Sequence, residues 1–168
     1  MTREPDRVDL VQAQWRAERP DLDVSPQGLV GRLHRLAGAL TEELLTVYRR
    51  HGLGEGEFDV LATLRRAGDP FELAPGEIAQ STMVTTGAVS KRLDRLAEAG
   101  LVSRRRAAGD ARMRVVGLTA AGRRVIDAAF DEHLRNEHRL VGLLDPDDRE
   151  QLEGLLRRWL DRLEGREG

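Results

Sequence analysis

Eight basic side chains of this sequence fall between Thr85 and Val115: Lys91, Arg92, Arg95, Arg104, Arg105, Arg106, Arg112 and Arg114. Only three acids, Asp94, Glu98 and Asp110, stand among them, a local charge of +5 in a chain whose formal net charge is −2. Guanidinium groups concentrated in one stretch suit a polyanion, and for that the clustering matters more than the total. Just ahead of the arginines, Thr85-Thr86-Gly87-Ala88-Val89-Ser90-Lys91 offers hydroxyls and one ammonium with little bulk. At the N-terminal end of a helix such residues fit the major groove of B-DNA, which is about 12 Å wide. Other chemistries find little support. There is no cysteine, which excludes disulfides, thiolate metal sites and redox-sensing thiols. His133 and His138 lie five apart rather than four, with His34 and His51 elsewhere, so solvated histidines are a better reading than a zinc site. Ser90 and Lys91 are adjacent and lack a third orienting group, and no phosphate-binding loop is present. No enzyme, cofactor or metal is read here.

The elements that must position these residues follow from periodicity. A short helix is predicted from about Arg7 to Arg19, stopped by Pro20. Ser25 is placed to cap a long amphipathic helix from Pro26 to Arg50, with Leu29, Leu33, Leu36, Leu40, Leu44 and Val47 at helical spacing. Glu57 to Arg66 carries Phe58, Leu61 and Leu64 and reads as a second helix, closed at Gly68-Asp69-Pro70. Pro75 to Gln80 makes a brief helix, Ser81 to Val84 a turn, and Thr86 to Ala99 a further helix ended by Gly100. The period then changes: Leu101 to Arg104 and Met113 to Leu118 read as strands around a turn at Ala107 to Asp110. Thr119 caps a helix to about Leu140, and Pro146 opens a last one with Leu152, Leu155, Leu156, Trp159, Leu160 and Leu163 on one side.

Helix, short helix, turn, helix and basic hairpin is the order of a winged helix-turn-helix. Arg112, beside the hairpin tip, is placed to reach a minor groove, whose negative potential attracts guanidinium. The 168 residues suffice for one domain, and 4% aromatic with 33% charged residues suits amphipathic helices. The fold expected is mainly α, with a small β-hairpin wing and N- and C-terminal dimerisation helices. Its parts are an extension helix at 1–24, a dimerisation helix at 25–52, the DNA-binding region at 53–118 and C-terminal dimerisation helices at 119–168. No apolar run approaches the roughly 20 residues of a membrane span, and MTREPDRVDL is charged where a signal peptide is apolar. A cytoplasmic protein without membrane contact is expected.

EIAQSTMVTTGAVSKRLDRLAEAGLVSRRRAAGDARMRVVGLTAAG resembles the helix-turn-helix and wing of the MarR-type transcriptional regulators almost position by position. The resemblance covers Pro26 to about Leu163. It implies a homodimer with interlocking first and last helices, a palindromic double-stranded DNA operator, and usually a small-molecule inducer. Asp110-Ala111-Arg112 is similar to the family's Asp-x-Arg wing motif, in which the acid orients the minor-groove arginine. Thr85, Thr86, Ser90, Lys91, Arg95, Asp110 and Arg112 are then the residues expected at DNA. A solvated surface hairpin is the bland alternative for the arginines.

A narrower resemblance concerns the urate-responsive, or organic-anion-responsive, branch, which carries an extra N-terminal helix. Its pattern maps onto Trp15, Asp59, Arg92 and Arg104. This implies a ligand that is urate or an aconitate- or citrate-like carboxylate, attracting Arg104 and repelling an Asp59 paired to Arg92. Trp15 would supply a flat face. Alternatively, Trp15 only pins its helix and Asp59–Arg92 is a static ion pair. At the level of function, the repressor released by an anion competes with a constitutive DNA-binding protein on the same scaffold that has no inducer.

Overall fold

The computed structural model describes residues 4–82, 86–107 and 110–165, and the side chains of 86–88, 107 and 110–113 are outside the description. The elements run α1 (Arg7–Glu18), α2 (Pro26–Arg50), α3 (Glu55–Arg66), β1 (Glu72–Leu73), α4 (Pro75–Ser81), α5 (Thr86–Glu98), β2 (Val102–Ala107), β3 (Asp110–Leu118), α6 (Ala120–Val141) and α7 (Pro146–Leu163). They fall into two compact units, Met1–Glu43 and Leu44–Gly168.

In the first unit α1 starts at Asp6, whose carboxylate accepts from the backbone N–H groups of Val8 and Asp9, while Asp9 reaches back to the N–H of Asp6. This reciprocal cap satisfies donors that a helix start leaves open. Arg32 on α2 donates to Asp6 at 2.8 Å and to Asp9 at 2.5 Å. Its guanidinium holds both carboxyls below the usual carboxylate range. Gln12 is buried and donates to the carbonyl of Val24 at 2.8 Å, tying α1 to the turn before α2. Ser25, read from sequence as the cap of α2, donates its hydroxyl to Asp23 Oδ2 at 3.0 Å.

The second unit holds the main core. Leu61 and Leu64 of α3, Ile78 of α4, Leu93 and Leu96 of α5, Val102 and Val116 of the sheet, and Ile126 of α6 are all buried together. Burying such side chains yields roughly 25 cal/mol per Å² of apolar surface removed from water, which is what holds the short α4 in place. α5 ends at Gly100, at φ 69°, with the N–H of Leu101 bonded to the carbonyl of Leu96. That left-handed stop turns the chain into the hairpin, as the sequence predicts.

The antiparallel sheet has the order β1-β3-β2. Sequence reading finds the hairpin but not β1, a two-residue strand that carries no alternation to detect. β2 extends to Ala107, beyond the predicted end at Arg104, and Ala107 is already paired with Asp110 across the hairpin. Thr119 caps α6 as expected: its hydroxyl accepts from the N–H of Gly122 at 2.9 Å and donates to the carbonyl of Gly100 at 2.8 Å. α7 has no buried residue at all. Among the described residues no helix is long and apolar enough to cross a membrane, and no group of three or more potential ligands could hold a metal ion.

Candidate functional site

α5 is the helix whose first turns carry the small hydroxyl residues. Val89, Leu93 and Leu96 fix its inner face in the core, which leaves Ser90 and Lys91 exposed on the other. Arg95, one turn further, is exposed but engaged: its Nη1 lies 3.0 Å from Glu57 Oε1. Glu57 also accepts from the N–H of Gly54, so one carboxylate starts α3 and braces α5. Thr85 lies outside the described residues, and the side chains of Thr86, Asp110 and Arg112 do too. For the last three the backbone alone is placed, in α5 and in β3.

The wing is braced at its base by two ion pairs. Arg104 of β2 pairs with Asp94 of α5 at 2.7 Å. Arg105 grips Glu72 of β1 with two parallel bonds, one of them at 2.8 Å. Glu72 lies flat over Gly117, where a Cβ would stand 2.7 Å from its Cγ. Between α5 and the wing runs a groove of about 460 Å³ lined by Ser90, Asp94, Arg104, Arg105, Arg106 and Arg114, among others.

A second cavity, of about 610 Å³, lies elsewhere in this unit, lined by Tyr48, Glu55, Gly56, Phe58, Asp59, Arg66, Ser81 and Arg92. Its aromatic wall is built by Tyr48 and Phe58, stacked with ring centroids 4.0 Å apart. Burial, with help from Glu137, Glu55 and Asp59, pushes the Tyr48 phenol up to about 12, so it stays neutral at physiological pH. Burial also raises the carboxyl of Asp59, against the opposing pull of Arg66 and Arg92. Arg92 reaches the cavity from α5, and its guanidinium lies against Gly56, where a Cβ would be 2.0 Å from its Nε. Arg92 Nη1 is buried without a hydrogen-bond partner. Arg66 donates to the carbonyl of Ser81 at 2.9 Å.

Of the four residues assigned to a ligand from sequence, the structure brings Asp59 and Arg92 to one cavity. They interact through space, and among the described residues no direct ion pair joins them, unlike the contact expected from sequence. Arg104 lines the other groove, held by Asp94. Trp15 stands on α1 in the first unit, 46% exposed. Sequence reading missed Arg66, Tyr48 and Gly56. Arg66 follows Asp59 by seven residues, two turns along one face of α3, and that spacing was the available signal.

A profile described as the MarR family matches residues 51–113. The chain is 38% identical over 150 residues to the HTH-type transcriptional regulator PecS of Dickeya dadantii, covering 89% of this chain and 90% of PecS. Among solved structures it resembles AbsC, a MarR family transcriptional regulator from Streptomyces coelicolor, with a TM-score of 0.73 and 23% identity over 86% of this chain and 98% of AbsC. It also resembles a mutant MarR from E. coli complexed with operator DNA, with a TM-score of 0.70 and 26% identity over 83% of this chain and 99% of the other. The core-anchored α5, the ion-paired wing beside it and the near full-length match to PecS lead to one conclusion: this chain belongs to the MarR family of winged helix-turn-helix transcriptional regulators, which bind DNA and are not enzymes.

Proposed function

We propose that the protein is a homodimeric repressor that binds a palindromic operator and is released from it by a small organic anion. The observation that supports the inducer is the second cavity, where Arg92 presents a buried, unpartnered N–H beside Arg66 and a stacked aromatic wall. An unpaired buried donor on a cation is costly, and a carboxylate or a urate-like oxyanion relieves that cost. The same anion repels the carboxylate of Asp59, which burial already destabilises. Because Arg92 belongs to α5, pulling its guanidinium toward a ligand acts directly on the helix that carries Ser90 and Lys91.

At DNA, Thr85, Thr86, Ser90 and Lys91 face the major groove in this reading, with Arg95 behind them, and Asp110 orients Arg112 in the minor groove. Arg104 acts on the wing side, through Asp94, rather than on the ligand. Trp15 remains assigned to the ligand by its place in the branch pattern. Residues 25–52 and 119–168 serve the dimer, and 53–118 the operator.

Linkage requires that the anion bind free protein more tightly than operator-bound protein, typically by about 1–3 kcal/mol. The test is operator binding by wild type, Arg92→Ala, Arg104→Ala and Trp15→Ala, each titrated with urate, citrate and trans-aconitate. Arg92→Ala should keep most operator affinity and lose release. If it responds to the effective anion as wild type does, the cavity assignment is wrong. If no anion releases wild type, the constitutive reading replaces this one.

A further inference from the structure

The four wing arginines whose side chains are described divide into two kinds. Arg104 and Arg105 are each held by an acid, Asp94 and Glu72. Arg106 and Arg114 are exposed and have no acidic partner among the described residues. They are also register partners, directly opposite each other across the β2–β3 ladder. Two like charges in that relation repel and weaken the strand pair. A hairpin built only for stability would not place two cations there, so the arrangement calls for an anion between or above them.

The position indicates which anion. Arg106 and Arg114 line the groove that separates the wing from α5, with Ser90 on the opposite wall. When a recognition helix occupies the major groove and its wing the adjacent minor groove, one sugar–phosphate strand must pass between them. On the operator-binding reading, the groove lined by Ser90, Arg106 and Arg114 is where that strand would run. We propose that Arg106 and Arg114 form a paired clamp on the DNA backbone phosphates that run between the two grooves. The proposal rests on the operator-binding reading. It adds a site that fixes register without reading bases, since phosphate contacts carry no sequence information of their own. Arg104 and Arg105 then serve as braces that aim the clamp.

The experiment compares wild type with Arg106→Gln, Arg114→Gln, the double variant, and the double lysine variant. Binding is measured by anisotropy between 50 and 200 mM salt, on a duplex selected by wild type and on a scrambled duplex. Removing one arginine–phosphate pair should lower the slope of log K against log salt by about 0.9, so the double glutamine variant should drop by roughly two units per protomer. Affinity for both duplexes should fall by a similar factor, and the lysine variant should keep the slope. The thermal midpoint of the double glutamine variant should hold or rise, because the repulsion is gone. An unchanged salt slope, a weakening confined to the selected duplex, or a lowered midpoint overturns the clamp. Wild type that binds neither duplex overturns the operator reading along with it.

Discussion

Arg92 can lie in its cavity because residue 56 has no Cβ: the guanidinium occupies the space that a methyl group would need. The clash in Gly56→Ala would be with the free end of a flexible side chain, so the helix should survive while Arg92 is displaced. Stability should stay within about 1 kcal/mol of wild type, and anion-induced release should fall sharply. Thermal melts and operator titrations on one preparation separate the two effects. Asp59 gives a prediction about pH. Its carboxyl is raised by burial, so the folded state holds that proton more tightly than the unfolded chain does. The group therefore costs nothing below the usual carboxylate range, and it destabilises the fold once pH rises through its folded-state value. Asp59→Asn should melt higher than wild type at pH 7, with the advantage shrinking as pH falls through the acid range. An advantage that persists undiminished at low pH would contradict the burial account. At this scale the sequence was informative only in part. Asp59 and Arg92 could be picked out by type and spacing, but the contact of Arg92 with Gly56 depends on how α3 and α5 cross, which no local pattern records.

Elements were more legible than contacts. α2, α3, α5, α6 and α7 follow from apolar spacing and end signals, and Thr119 and Gly100 act where their chemistry places them. β1 escaped notice because two residues have no period, and β2 ran past Arg104 because three successive arginines hide a strand's alternation. Pairing partners on β3, not local preference, decide both. The join between α5, the sheet and α6 is tight at Gly122, where a Cβ would stand 1.9 Å from the backbone carbonyl oxygen of Leu101. Backbone cannot swing aside as a side chain can. Gly122→Ala should therefore destabilise the protein by about 1–3 kcal/mol, the usual range for overpacking. Urea denaturation would show it, and a midpoint equal to wild type would mean that α6 can shift without cost.

For the whole molecule, the informative feature is what the chain leaves uncovered. α7 buries none of its residues, and Leu155, Leu160 and Leu163 are 57%, 52% and 71% exposed. An amphipathic helix draws most of its stability from the surface it packs against, so a bare one implies a partner. A second copy of the chain fits the family. Trp159→Glu should drive the protein toward monomer in light scattering and weaken operator binding in parallel. A monomeric wild type at micromolar concentration would refute this.

The sheet register also has a mechanical consequence. β1 pairs with β3 only at Gly117 and Val116, so the hairpin beyond that row is a ribbon of two strands. Arg104 is the β2 partner of Val116, and its bond to Asp94 fastens that last supported row to α5. The wing is thus a cantilever, clamped at the row of Leu73, Val116 and Arg104 and braced just beyond by Arg105, so that a load on the two-strand ribbon at Arg106 and Arg114 is carried into α5 and β1.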